Sequence, residues 1–349
     1  MPYAILDEEL FVISPMEVLF PKKLLMTCAA IAEHSGIGAE NNLAPLPTFL
    51  PYELRYASYS MGTFCCQNAK EMKPLWLLRS FEHLHWKNSD LSIFPPEILG
   101  LGKLLALNLN DNRLIEIPPE IRNLSLLQSL SLSGNRISRL PQTIGSLNFL
   151  RLLYLGNNFF TAFPPEIYSL KKLEELDLRS NSIDSVDGRI RALSALRYLN
   201  LGQNCLPSLP PEMGDLSNLQ ELHVEGNCLT RLPEDLGRAR SLSHLFVDEN
   251  QLIALPESLS SLGNLRVCSA KNNGLLSLSE ALVDARALQS LHVDHNRLTS
   301  VPPRPASKQE MRYSMENNWL SEQCSSFVTY FFYRIYALFL RTYHCLFSH

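Results

Sequence analysis

The chain lacks a surplus of positive charge. Its formal net charge is −4 and its pI is near 6.2, so lysine and arginine do not combine to draw it to a phosphate backbone or an anionic membrane surface. Nucleic acid is not an expected partner. A disulfide framework is also missing: the eight cysteines, Cys28, Cys65, Cys66, Cys205, Cys228, Cys268, Cys324 and Cys345, are scattered rather than clustered. Reduced thiols in a cytosolic protein are the expectation, with Cys268 at an inward slot as a small hydrophobe. The first residues bring Pro2 and then Asp7, Glu8 and Glu9, without the basic-then-apolar order of a secretory signal, and this too places the chain in the cytoplasm.

Catalytic signatures are absent as well. There is no His-Glu-x-x-His and no Gly-x-Ser-x-Gly, and Gly100-Leu101-Gly102-Lys103 has neither the spacing nor the Ser or Thr of a phosphate loop. No catalytic residue, no cofactor and no enzymatic activity are expected. His83, His85, His223, His244, His292 and His295 fall toward one side of the repeats described next. Residues in the same column of successive units stand about 4.8 Å apart, which separates His223 from His292 by roughly 14 Å, too far to share an ion. No metal site is expected.

What the chain does have is one line written many times. Leu104-x-x-Leu107-x-Leu109-x-x-Asn112-x-Leu114-x-x-Ile117-Pro118 returns after 23 residues as Leu127, Leu130, Leu132, Asn135, Ile137, Leu140 and Pro141. The frame holds at first positions Leu150, Leu173, Leu196, Leu219, Leu242, Leu265 and Leu288 without an insertion. A degraded copy starts at Phe81, and one a residue short runs through Tyr313, Met315, Asn318 and Leu320, which gives up to eleven units.

The spacing within a unit predicts its structure. Leu-x-x-Leu-x-Leu ends in strict alternation, which suits a short strand. Proline at the fifteenth position of most units has no amide to give a ladder, so the chain turns there. Apolar residues three apart follow, such as Ile121 and Leu124, and predict a helical or 3₁₀ turn behind the strand. Seven apolar slots per unit point inward and no unit can bury them alone, so stacking is obligatory. The expected fold is α/β: a solenoid curved into a horseshoe, with a parallel sheet on the concave side and short helical or 3₁₀ turns on the convex side. Asn112, Asn135 and their eight counterparts recur where the strand ends, and a carboxamide there can donate and accept at once between neighbouring turns.

Three segments result: an irregular, proline-rich extension or cap over 1–80, the repeat array over 81–320, and an aromatic C-terminal helix over 321–349. In the first, residues 24–34 read as a helix, and Leu24-x-x-x-Cys28-x-x-x-Ala32 with Leu43-Ala44-Pro45-Leu46-Pro47 and Leu50-Pro51-Tyr52-Glu53-Leu54 resembles the box of suppressor-of-cytokine-signalling-type receptors. Lys23 and Phe49 depart from that box. The resemblance implies substrate recognition for a cullin-RING ubiquitin ligase, and the alternative is a cap. In the last, residues 327–347 form an apolar run in which Arg334 and Arg341 argue against full insertion in a bilayer and leave a cap over the solenoid end, or an interfacial membrane contact, as readings.

Asn-x-Leu-x-x-Leu-Pro-x-x-Ile-x-x-Leu, seen from Asn135 to Leu147, resembles the 23-residue leucine-rich repeats of intracellular Ras-group scaffolds and Ras-suppressor-like proteins. The resemblance implies a non-enzymatic adaptor in intracellular signalling, with small GTPase or kinase components as partners. It is carried by buried positions, so recognition has to be sought where the units differ. The third, fifth and seventh positions face the concave side. There Tyr154, Tyr198 and Phe246 are the expected anchors for a protein partner. Asp177, Glu225, Asp248 and Asp294 favour a basic segment on it, and Arg179, His223 and His292 complete the candidate protein-binding set.

Overall fold

The computed structural model describes residues 63–65, 82–300, 302, 303 and 311–320. The helix expected at 24–34, the box-like segment 24–54 and the aromatic run 327–347 lie outside the described residues. Twelve three-residue strands form one sheet in chain order: β1 Thr63–Cys65, β2 His83–His85, β3 Ala106–Asn108, β4 Ser129–Ser131, β5 Leu152–Tyr154, β6 Glu175–Asp177, β7 Tyr198–Asn200, β8 Glu221–His223, β9 His244–Phe246, β10 Val267–Ser269, β11 Ser290–His292 and β12 Arg312–Ser314. From β2 to β12 every neighbouring pair is parallel, and the register advances by 23 residues, or 22 at the last step. The one-residue-short final unit is absorbed outside its strand. The fold is the leucine-rich-repeat-type solenoid that the spacing predicts.

Every described back turn but one is 3₁₀, as in Pro119–Asn123 and Pro211–Asp215. The fifteenth-position proline stands just before it with φ near that of the turn, and its carbonyl accepts the first turn bond: Ile121 N donates to Pro118 O at 3.0 Å, and Met213 N to Pro210 O at 3.1 Å. Two units have no such proline. In one, the Asp187 carboxylate accepts from Arg189 N at 2.8 Å and caps the turn Gly188–Ala192. In the other, Ser279 precedes a single α-helical turn, α1, Glu280–Val283.

The seven inward slots are filled as predicted. Leu104, Leu107, Leu109, Leu114, Ile117, Ile121 and Leu124 of one unit are all buried and join a core that runs continuously through the stack. Leu199 and Leu201 are fully buried, whereas Tyr198, just before them on the same strand, is partly exposed. The period-2 alternation is therefore in the right frame. Cys268 is fully buried at an inward slot and burial pushes its thiol up to about 12, so it behaves as a hydrophobe.

The asparagine column closes the strand ends. Asn135 Nδ2 donates to the carbonyls of Leu109 and Leu132 at 3.0 and 2.9 Å, while its Oδ1 accepts from Leu114 N at 3.0 Å. The same pattern recurs from Asn112 to Asn318. A second column was not anticipated. The residue before each asparagine has a left-handed backbone with φ of about +52° to +69°, whether it is Asp111, Ser180, Gln203, Glu249 or His295, or a glycine as at Gly134 and Gly226. The turn that presents the carboxamide requires that conformation, so Asn, Asp and Gly recur there because they adopt it at least strain.

Candidate recognition face

The in-register sheet turns the third and fifth strand positions of successive units into straight columns on one face, with the seventh position just beyond. On β7, β8 and β9 three rings climb these columns. Tyr198 meets His223 with centroids 5.3 Å apart, and His223 stacks on Phe246 at 4.5 Å with planes 21° apart. His244, also on β9, lies 6.4 Å from Phe246. All four rings are partly exposed. Two carboxylates flank the central imidazole: Glu221 Oε2 is 3.7 Å from His223 Nε2 and Glu225 Oε2 is 3.6 Å from its Nδ1. Burial disfavours protonation of His223, but Glu225 and Glu221 outweigh it and hold its pKa above the usual 6.5.

A second group sits on β5 and β6. The Tyr154 hydroxyl donates to Glu175 Oε2 at 2.5 Å, and burial with that carboxylate pushes the phenol well above its usual range. Asp177 is buried; its Oδ1 accepts from Arg179 N at 2.9 Å and its Oδ2 lies 3.4 Å from Arg179 Nε. Burial raises its carboxyl pKa against these two favourable contacts.

The seventh position on later units forms a third group turned partly inward. Asp248 Oδ1 accepts from Ser269 Oγ at 2.7 Å and from Lys271 N at 2.6 Å. Asp294 accepts from the Ser314 hydroxyl and from Glu316 N, and its Oδ2 lies 3.4 Å from Lys271 Nζ. These two aspartates therefore hold neighbouring units together as well as carrying charge. Ser269, itself buried, separates Phe246 from His292, which stands apart from the ladder.

The structure thus brings together Tyr198, His223, Glu225 and Phe246, pairs Asp177 with Arg179 beside Tyr154, and links Asp248 and Asp294 through the sheet. Sequence reasoning passed over Glu221 and Glu175 as parts of the face, and it placed His244 on that side while weighing it only as a metal ligand. All three occupy the third position of their units, and reading that column alongside the fifth would have found them. Among the described residues no group of three or more His, Cys, Asp or Glu side chains has metal-binding geometry, and no helix is long and apolar enough to cross a membrane.

A sheet of short parallel strands of equal length, closed behind by short helical turns and lined by variable side chains, defines a repeat solenoid. The chain belongs to the leucine-rich repeat family: the model of the leucine-rich repeat region matches residues 64–187 and 188–317. That match starts inside the segment assigned to the N-terminal extension. Among solved structures, a leucine-rich repeat protein of Leptospira interrogans is 35% identical, with a TM-score of 0.63 over 66% of this chain and 58% of that one. The ectodomain of the Arabidopsis thaliana receptor kinase GASSHO1/SCHENGEN3, solved with CASPARIAN STRIP INTEGRITY FACTOR 2, is 26% identical, with a TM-score of 0.62 over 70% of this chain and 31% of that one. The plant peptide hormone receptor RGFR1, solved with RGF2, is 26% identical, with a TM-score of 0.56 over 70% of this chain and 45% of that one. The chain spans less than two thirds of the length of each. No curated protein matches it.

Proposed function

We propose that this chain is a non-enzymatic recognition module that binds a partner protein along the concave sheet, centred on β5 to β9, and that the partner presents a basic segment there. The observation that carries this reading is the ladder Tyr198–His223–Phe246: partly exposed rings on a rigid sheet, set among Glu221, Glu225 and Asp177, where core packing asks for none of them. Aromatic side chains fixed by their neighbours lose little entropy on binding and supply large contact area. The carboxylates steer a positively charged partner and speed its encounter. Peptide complexes of the plant receptors agree with a protein or peptide ligand in general. The resemblance of the 23-residue unit to the repeats of intracellular Ras-group scaffolds favours an adaptor role in cytoplasmic signalling.

The test begins with proximity labelling in the source organism, followed by purification of the strongest candidate partner. Its affinity is then measured for the wild type, for Tyr198→Ala/Phe246→Ala, and for Lys172→Ala on the edge outside the face. The double variant is expected to lose at least about 100-fold in affinity, as paired anchor residues do, while circular dichroism and the melting curve stay close to wild type. Undiminished binding by the double variant would sink the reading.

A further inference from the structure

Most carboxylates near the concave face already have a strong partner. Asp177 has Arg179, Asp294 has Lys271, Glu174 has Arg151 at 2.7 Å, and Glu175 has the Tyr154 hydroxyl. Glu221 and Glu225 differ. Among the described residues their ion-pair partners are imidazoles alone: Glu221 with His223 and, at 3.9 Å, with His244, and Glu225 with His223. Separations of 3.6 to 3.9 Å are too long for hydrogen bonds. Glu225 Oε2 and His223 Nε2 are both shielded from solvent and both lack a hydrogen-bond partner. A shielded carboxylate oxygen without a donor is costly, and the deficit is removed when a ligand brings one.

We propose that Tyr198, Phe246, Glu221 and Glu225 form the seat of one arginine side chain carried by an extended basic segment of the partner. The inference rests on the concave-face reading and adds the chemistry of its central subsite. A guanidinium is planar, so it stacks on the partly exposed Tyr198 and Phe246 rings, and its fork of N–H donors suits a carboxylate pair in which Glu225 Oε2 lacks a donor. A lysine ammonium supplies the charge without the plane or the fork. Gly202 helps to set the geometry: a Cβ there would stand 2.9 Å from Glu225 Oε1, so the absence of a side chain is what lets this carboxylate lie where it does.

His223 sits in the middle of the seat and competes with the guest. Tyr198 from β7 and Phe246 from β9 flank it, Asp177 acts on it from the β6 unit, and Glu221 and Glu225 belong to its own unit; beyond these, Arg179 is paired with Asp177, His244 with Glu221, and Asp248 acts on Glu225. Protonation places a positive charge between the two carboxylates that the guanidinium needs. Arginine binding therefore weakens as pH falls through the His223 pKa, and a bound guanidinium lowers that pKa in return.

The test uses the full chain and a defined probe, an acetylated and amidated peptide of alternating serine and arginine, with the citrulline version as its neutral isostere. Calorimetry near pH 8 and near pH 5.5 brackets the imidazole titration, and NMR follows the His223 and Tyr198 ring signals. The arginine peptide is expected to shift both signals and to bind at least about tenfold more tightly at the higher pH, a difference that calorimetry resolves. The citrulline peptide does neither. His223→Gln flattens the pH dependence, and Glu225→Gln weakens binding several-fold with the fold intact. Binding that leaves the two ring signals unmoved, a pH dependence unchanged in His223→Gln, or no binding at either pH overturns the seat. The concave-face reading fails separately, if the purified partner ignores Tyr198→Ala/Phe246→Ala.

Discussion

Asn204 is tied to Leu178 across 26 residues of chain: its Nδ2 donates to the Leu178 carbonyl at 3.0 Å while its Oδ1 accepts from Ile183 N at 2.9 Å. One side chain thereby satisfies a buried carbonyl and a buried amide of the preceding unit. Asn204→Ala leaves the Ile183 amide unpaired and the Leu178 carbonyl with Asn181 Nδ2 as its side-chain donor, and it is expected to lower stability by about 1–3 kcal/mol. Asn204→Asp should do no better, since a carboxylate cannot donate to Leu178. Urea unfolding measures both, and a midpoint unchanged in either variant would contradict the bridging role.

The core frame makes a sharper contrast between two leucines of different units. Leu201→Ala removes a fully buried side chain and is expected to cost about 2–5 kcal/mol, whereas Leu126→Ala, at an edge position 43% exposed, should stay within about 0.5 kcal/mol of wild type. Thermal unfolding of the two variants side by side decides it. Equal losses would contradict the assignment of Leu201 to an inward slot and Leu126 to the surface.

Gln203 holds a left-handed backbone with φ of +55°, a conformation that most side chains resist, and it abuts Gly226, the equivalent residue of the next unit, at φ +67°. Gln203→Gly relieves the strain and is expected to raise stability by up to about 1 kcal/mol. Gly226→Ala introduces it, and its new Cβ would also stand 2.4 Å from the Gln203 amide, so a loss of at least about 1 kcal/mol is expected. A stability decrease in Gln203→Gly would show that its side-chain contacts outweigh its backbone strain.

The array was legible in the sequence because repetition averages away accident. A single leucine says little, but Leu176, Leu199, Leu222 and Leu245 at identical spacing admit one period and one buried face. The asparagine column was legible for the same reason, since a buried polar residue repeated that often must be satisfied by its neighbours. The residue before it was harder. Gln203 and Glu249 conceal a conformational rule that Gly134 and Asn157 obey more visibly, so composition alone blurred it. The ring ladder depended on side-chain reach: the register sets His223 beside Phe246 but pairs Tyr198 with Glu221, so the Tyr198–His223 contact runs diagonally from a third to a fifth position and reading down one column does not show it. Nor does sequence show that Asp248 and Asp294 turn inward to bind the next unit, because charge on a strand reads as solvated until a hydroxyl and an amide are placed beside it.

Those two aspartates occupy the same slot of their units, yet their stability effects should have opposite signs. Burial raises the carboxyl of Asp248 above the usual 3.8, and the bonds from Ser269 and Lys271 do not cancel it. Burial also raises that of Asp294, but the Ser314 hydroxyl, the Glu316 amide and the Lys271 ammonium outweigh it and hold the carboxyl below 3.8. A carboxyl lowered by folding contributes stability above its unfolded pKa, and that contribution is lost as pH falls through the folded value; a carboxyl raised by folding contributes below its unfolded pKa and loses that contribution as pH rises through the folded value. At neutral pH, Asp294→Asn should therefore destabilise the protein. Asp248→Asn, which keeps an oxygen to accept from Ser269 and Lys271 while shedding the buried charge, should stabilise it. Both differences should shrink toward pH 3, as the wild-type carboxyls take up protons, with that of Asp294 persisting to lower pH. Urea unfolding of both variants across this range measures the effect, and the same sign for the two at neutral pH would overturn the assignment of charge and burial at this slot.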